Sequence, residues 1–176
     1  LRESDQPSEL QIDELARALA FWATTFTPLA TDPGEHDDLA GAAVDRALSD
    51  LTAEYAGHYA FTKPSFPVPL IHTITAPAAM RLLLPELPDE VHAASLRTIA
   101  QVNREVFARF DGQRASDNTE AVEIDRTFAE LAAEAVDIGD EHAIKVCEAA
   151  MREDAVNPDP RYLRAASTAV DLIRKQ

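Results

Sequence analysis

The chain has a single cysteine, Cys147. That excludes an intramolecular disulfide and any metal site built from several thiolates. It also fits a reducing compartment, so the expected location is cytoplasmic. Glycine is scarce too: there are five, and they do not cluster. A phosphate-cradling loop and a dinucleotide fingerprint both need clustered glycines, so neither is available. No serine nucleophile elbow occurs. Strand signals are missing, because β-branched alternation never persists away from a helical pattern. There is no repeat of fixed period and no low-complexity tract. Basic side chains are few, 16 Lys and Arg against 31 Asp and Glu, for a formal net charge of -15. Such a field repels phosphate backbones and anionic lipid, which argues against nucleic-acid and membrane-surface binding. Arg81, Lys63 and several prolines punctuate the most apolar stretch, so no membrane span is expected. No signal-peptide pattern opens the chain. It begins with Leu1 and not Met. That points to a processed chain, or to part of a longer one whose N-terminal region would hold part of any site.

What the sequence does have is helical patterning. Hydrophobic residues make up 46% of 176 positions, enough for one folded domain across residues 1–176. Ser8 caps a first helix, with Gln11 in the capping-box position and Leu15, Leu19 and Trp22 at helical spacing. Pro33-Gly34 is a turn, and Glu35, Asp37 and Asp38 suit the positive end of the next helix. That helix carries Leu39, Val44, Leu48, Leu51 and Tyr55 and runs to about Tyr59. Lys63, Pro64, Pro67 and Pro69 predict a rigid extended connection.

The central segment, Phe66 to Pro88, is the most apolar in the chain. Its composition predicts a buried helix, with His72, Thr73 and Thr75 carried inside and hydrogen-bonded there. Pro77 should kink or split it, and Pro85 and Pro88 end it. Asp89 then caps a helix with Val91, Leu96, Ile99, Val102 and Phe107 at helical intervals. A polar loop spans Asp111 to Asn118. A fifth helix places Val122, Phe128, Leu131 and Val136 inward and closes at Gly139. Asp140 caps the sixth helix. After the stiff Asn157–Pro160 turn, the last helix carries Tyr162, Leu163, Ala166, Val170 and Ile173. The expected fold is all-α, a single-domain bundle of about seven helices with a proline-broken central helix.

Several residues in this bundle bear chemistry. His72 suits a general base, or a donor to a ligand carbonyl, because imidazole titrates near neutrality. Set against this is the plain reading of a core histidine bonded to a helix carbonyl. Thr75, one turn on, would orient a ligand oxygen. His142 sits in the first turn of its helix, and Lys145 shares its face. Together they suit an anionic or enolised oxygen, unless Lys145 simply pairs with Glu141. Arg81 is the only charge between Leu70 and Leu84. It either pairs with an acid or anchors an anionic ligand from inside a cavity. Tyr59, like Tyr55 and Tyr162, offers a phenol to a ligand or fills the core. Glu54 and His58 share a helix face, as metal ligands do. A di-iron Glu-x-x-His signature is absent, so a metal is not expected. Cys147 reads as a small buried hydrophobe beside Ile144 and Met151.

Three segments carry a resemblance: LIHTITAPAAMRLLLPELP (Leu70–Pro88), GDEHAIKVCEA (Gly139–Ala149) and NPDPRYLRAA (Asn157–Ala166). In content and order they resemble the questin oxidase-like family, over roughly residues 58 to 166. Members of that family are typically much longer. The resemblance implies a helical oxidoreductase that inserts oxygen next to a ring ketone in a Baeyer-Villiger-type step, with NADPH and oxygen. It would bind a hydrophobic, polyketide-like small molecule, with His72, His142 and Lys145 in catalysis and Thr75, Arg81 and Tyr59 at the ligand. The other reading is a non-catalytic helical ligand-binding or interaction domain, as a monomer or a homodimer. The first reading requires His72 and His142 to converge beside a cavity; the second leaves them apart or packed on backbone partners.

Overall fold

A computed structural model describes residue 39 and residues 41–61, 67–110 and 124–175, all within one compact unit. It contains six α-helices: α1 (Ala42–Phe61), α2 (Pro67–Leu83), α3 (His92–Phe110), α4 (Phe128–Ile138), α5 (Glu141–Val156) and α6 (Pro160–Ile173). Two short 3-10 turns, Leu84–Glu86 and Asp89–Val91, join α2 to α3. No strand occurs among the described residues, and the fold is an all-α bundle. The expected first helix with Ser8, Leu15, Leu19 and Trp22 lies outside the described residues. So do the Pro33-Gly34 turn, Lys63, Pro64, the loop from Asp111 and Val122.

The hub is α2, which packs on α1, α3, α5 and α6, while α5 also packs on α4 and α6. Its inward stripe is Leu70, Ile71, Ile74 and Ala78, each at most 1% exposed. Helical periodicity then turns positions 72 and 79 outward. His72 is therefore exposed, contrary to expectation, and its Nδ1 lies 2.8 Å from the Val68 carbonyl. Thr73 is buried as expected and donates to the Leu70 carbonyl at 2.7 Å. Pro67 and Pro69 lie in the first turn of α2 and not in an extended connector. Proline is tolerated there because the first helical N–H groups have no acceptor within the helix. Pro67–Glu86 also has the length and mean hydropathy (1.2) to cross a membrane, which the sequence reading did not anticipate. Half of that stretch is buried in the bundle.

The helix runs unbroken through Pro77, where a split or kink was expected. A residue at 77 would normally donate its N–H to the Thr73 carbonyl, and proline has none. Asn103 on α3, 1% exposed, supplies the missing donor. Its Nδ2 donates to the Thr73 carbonyl at 2.7 Å. A buried carbonyl left unpaired costs about 1–3 kcal/mol, so this amide allows proline inside the core helix.

The remaining helices follow local signals. Gly41, at φ 52°, precedes α1, and its carbonyl accepts from Val44 N–H at 2.9 Å. Val44, Leu48, Thr52, Tyr55 and Tyr59 then face inward. Asp89 was expected to cap α3; it sits instead in the 3-10 turn with its side chain 99% exposed. Val91 was expected inward and is 38% exposed, whereas Leu96, Ala100, Asn103 and Val106 are buried. Thr127 and Glu130 form a capping box at the start of α4. Gly139 ends α4 at φ 75°, and Asp140 accepts from His142 N–H at 2.7 Å, both as expected. Val136 was expected inward and is 63% exposed, because Leu131 and Ala135 define the buried side of this short helix. Asp159 caps α6, accepting from Arg161 N–H at 2.9 Å ahead of Pro160.

Two predictions follow from these contacts. Asn103→Leu should cost about 1–3 kcal/mol in urea unfolding, and clearly less in a Pro77→Ala background, where the backbone donor is restored. The Arg161 guanidinium, with its backbone N–H, holds the Asp159 carboxyl below the usual range against the opposing effect of burial. A lowered folded-state pKa contributes stability that is present above the ordinary carboxylate range and lost as pH falls through the folded value. Asp159→Ala should therefore cost about 1 kcal/mol at neutral pH, and the deficit should shrink on acidification below roughly pH 4.

Candidate functional site

Among the described residues, the most buried charge belongs to α5. Ala143, Val146, Cys147 and Ala150 form its inner stripe, and Glu153 continues that stripe at 0% exposed. A carboxylate placed there must be paired. Arg81 on α2 provides the partner, with Nε 3.1 Å from Oε1 and 3.0 Å from Oε2, and Nη2 3.0 Å from Oε2. The same guanidinium donates to Ser49 Oγ on α1 at 2.8 Å and lies 3.6 Å from the Asp45 carboxylate. Arg152 Nη1 reaches Glu153 Oε1 at 3.2 Å and the Ala78 carbonyl at 2.9 Å. Tyr162 on α6 donates its hydroxyl to the Ser49 carbonyl at 3.2 Å. Burial pushes the Glu153 carboxyl up, and the two guanidiniums oppose it without cancelling the shift. Burial likewise pushes the Tyr162 phenol up. Arg81 thus takes the protein's own carboxylate, the first of the two roles its isolation in the sequence allowed.

The two histidines of the sequence reading meet. The rings of His72 and His142 lie edge to face, with centroids 5.7 Å apart and planes at 66°. Asp140, which caps α5, also lies 3.3 Å from His142 Nδ1. Lys145 is exposed and forms its ion pair with Glu141, one turn back. Thr75 is half-buried on α2. Tyr59 is 1% exposed, and burial pushes its phenol up. Contact with an external ligand would require the helices around Tyr59 to open.

Other candidates resolve into packing. His58 Nε2 lies 3.5 Å from Glu54, and its ring stacks at 4.8 Å on Phe107 and at 5.6 Å against Tyr55. Burial, with Glu54 adding to it, raises the Tyr55 phenol to about 12. Among the described residues, no three His, Cys, Asp or Glu side chains form a metal-holding group. Cys147 is 3% exposed, and burial pushes its thiol up to about 11, so it is not a thiolate nucleophile at neutral pH. Its expected neighbours Ile144 and Met151 instead face outward, 41% and 45% exposed.

Sequence reasoning missed an open groove of about 360 Å³ at the α2–α3 corner. It is lined by Met80, Val91, Ala94, Ser95, Thr98 and Ile99, none of them an expected site residue. Leu82 and Leu83, 58% and 55% exposed, stand at the same end of α2. The available signal was the run of small side chains Ala94, Ser95 and Thr98 beside Val91, which leaves the outer surface of α3 low.

Comparison of the chain with protein families, with curated proteins and with solved structures finds no match.

The ion pair has a measurable consequence. Arg81→Met or Glu153→Met alone removes the main partner of a buried charge, leaving only Arg152 on Glu153 or Asp45 on Arg81, and should cost up to about 3–5 kcal/mol in chemical unfolding. The double variant should cost distinctly less than the two single losses added, because it removes both charges together.

Proposed function

We propose that this chain is a non-catalytic helical interaction domain that docks another protein at the α2–α3 corner. One observation carries the reading: exposed Val91 lines an open apolar groove with Met80, and Leu82 and Leu83 are exposed at the same end of α2. Leu82, Leu83 and Val91 are 58%, 55% and 38% exposed within ten residues of chain. Clustered exposed apolar surface of this kind marks interaction sites in soluble proteins. The buried polar groups support the same reading. Arg81, Glu153, Asn103 and Tyr162 bond to partners within the bundle. They hold the helices together and do not converge on a ligand space.

A second reading is favoured by the contact between His72 and His142. In that reading the chain is a questin oxidase-like oxidoreductase using NADPH. The two imidazoles would polarise the carbonyl of a hydrophobic ketone and move its proton, with Thr75 nearby on α2.

Site-specific photo-crosslinking in the native cell separates the two. A benzoylphenylalanine placed at Leu83 should give a discrete protein adduct, and one placed at Glu148 on α5 should give none. The purified chain should show no oxygen uptake driven by NADPH. NADPH-dependent oxygen uptake that His142→Ala abolishes would replace the interaction reading with the oxidoreductase one.

A further inference from the structure

We infer that the groove at the α2–α3 corner takes a basic amphipathic helix of a partner protein. This rests on the interaction-domain reading and specifies the chemistry of the partner. The shape argument comes from α3. Val91 in the preceding turn and Ala94, Ser95 and Thr98 on the helix form one side, with Ile99 and Met80 completing the lining. A trough that follows a helix in this way accepts apolar anchors spaced i, i+3 or i+4, and i+7 on a second helix. Ala94 and Ser95 are short enough to leave room for a Leu-sized anchor, and Val91 adds exposed apolar surface to the lining.

Charge selects among helices of that shape. Glu86, Asp89 and Glu90 are all exposed in the turns that border the groove. From Leu82 to Leu96 there is no Lys or Arg. The nearest basic side chains are engaged: Arg81 holds Glu153, the His92 ring lies 3.0 Å from the Leu87 carbonyl, and Arg97, which follows Leu96 on α3, has an interaction of its own within the protein. The groove is thus an apolar strip with an acidic border on a chain of net charge -15. A second copy of the chain would bring like charges together, and an anionic membrane would be repelled. A helix with Leu-type anchors and Lys or Arg around them satisfies both the strip and its border.

The test uses the 176-residue chain and labelled synthetic helices of about 18 residues, five turns. One has Leu at the anchor positions and Lys elsewhere. A second keeps Leu and replaces Lys with Glu. A third keeps Lys and replaces Leu with Ser. Fluorescence anisotropy should show the Leu/Lys helix binding at least about tenfold tighter than either control. Ala94→Arg, at an exposed helical position in the groove, should weaken it by a further factor of about ten, with circular dichroism unchanged. Met151→Arg adds the same charge on α5 and should leave binding nearly as it was. Equal binding of the Lys/Ser helix, or equal loss in the two Arg variants, would overturn the inference by reducing it to bulk charge. Tighter binding of the Leu/Glu helix would overturn the choice of a basic partner, while leaving the groove as a docking site. Absence of binding by all three would overturn the inference too, and the crosslink from Leu83 would then decide the interaction-domain reading separately.

Discussion

The carboxylate of Glu153 is the constraint on which the bundle depends. It sits on the inner stripe of α5 and is fully buried there. Isolated, it would cost several kcal/mol of lost hydration, so the fold must bring it a cation. Arg81 reaches it from α2 and, through the same guanidinium, ties in Ser49 and Asp45 on α1. One planar fork with five donors therefore joins three helices at a fixed separation and rotation, a task a flexible ammonium would perform less well. Tyr162 extends the junction to α6 through the Ser49 carbonyl. Apolar packing is tolerant of small rotations. The polar junction is far less so, and it sets which rotation the helices adopt.

The same logic applies to the proline in the core helix. The apolar side chains of α2 supply the burial that drives the bundle together, but Pro77 leaves the Thr73 carbonyl without its helical donor. Asn103 answers that need from α3, and so fixes the register between α2 and α3. A helix apolar enough to cross a membrane is held in this bundle by polar attachments to α1, α3 and α5. Among the described residues, the buried Thr52, Thr73, Asn103 and Glu153 bond to the backbone or to another side chain of the bundle. At the corner of α2 and α3, by contrast, Leu82, Leu83 and Val91 meet solvent.

Much of the fold was legible in the sequence. The missing strand signals and the Gly139-Asp140 boundary act within a few residues of themselves, so local chemistry decides them. The lone charge of Arg81 in an apolar run announced that it needed a partner. The candidate site was less legible. His72 was expected inside because its neighbours are apolar, yet a helix 17 residues long has an outer side even at the centre of a bundle. Val91 and Val136 failed for the same reason: a periodic stripe gives relative phase, and only the neighbouring helices say which phase is buried.

The sequence by itself determined the class of the fold, the Gly139-Asp140 helix boundary and the need of each buried polar group for a partner, because these depend on backbone geometry and desolvation over one or two turns. Only the tertiary structure decided which partner each group found. Glu153 lies 72 residues from Arg81, Asn103 lies 30 from Thr73, and His142 meets His72 across two helices. Such pairings are set by how the helices are rotated against one another, and that rotation is a property of the packed bundle that no single stretch of the chain contains.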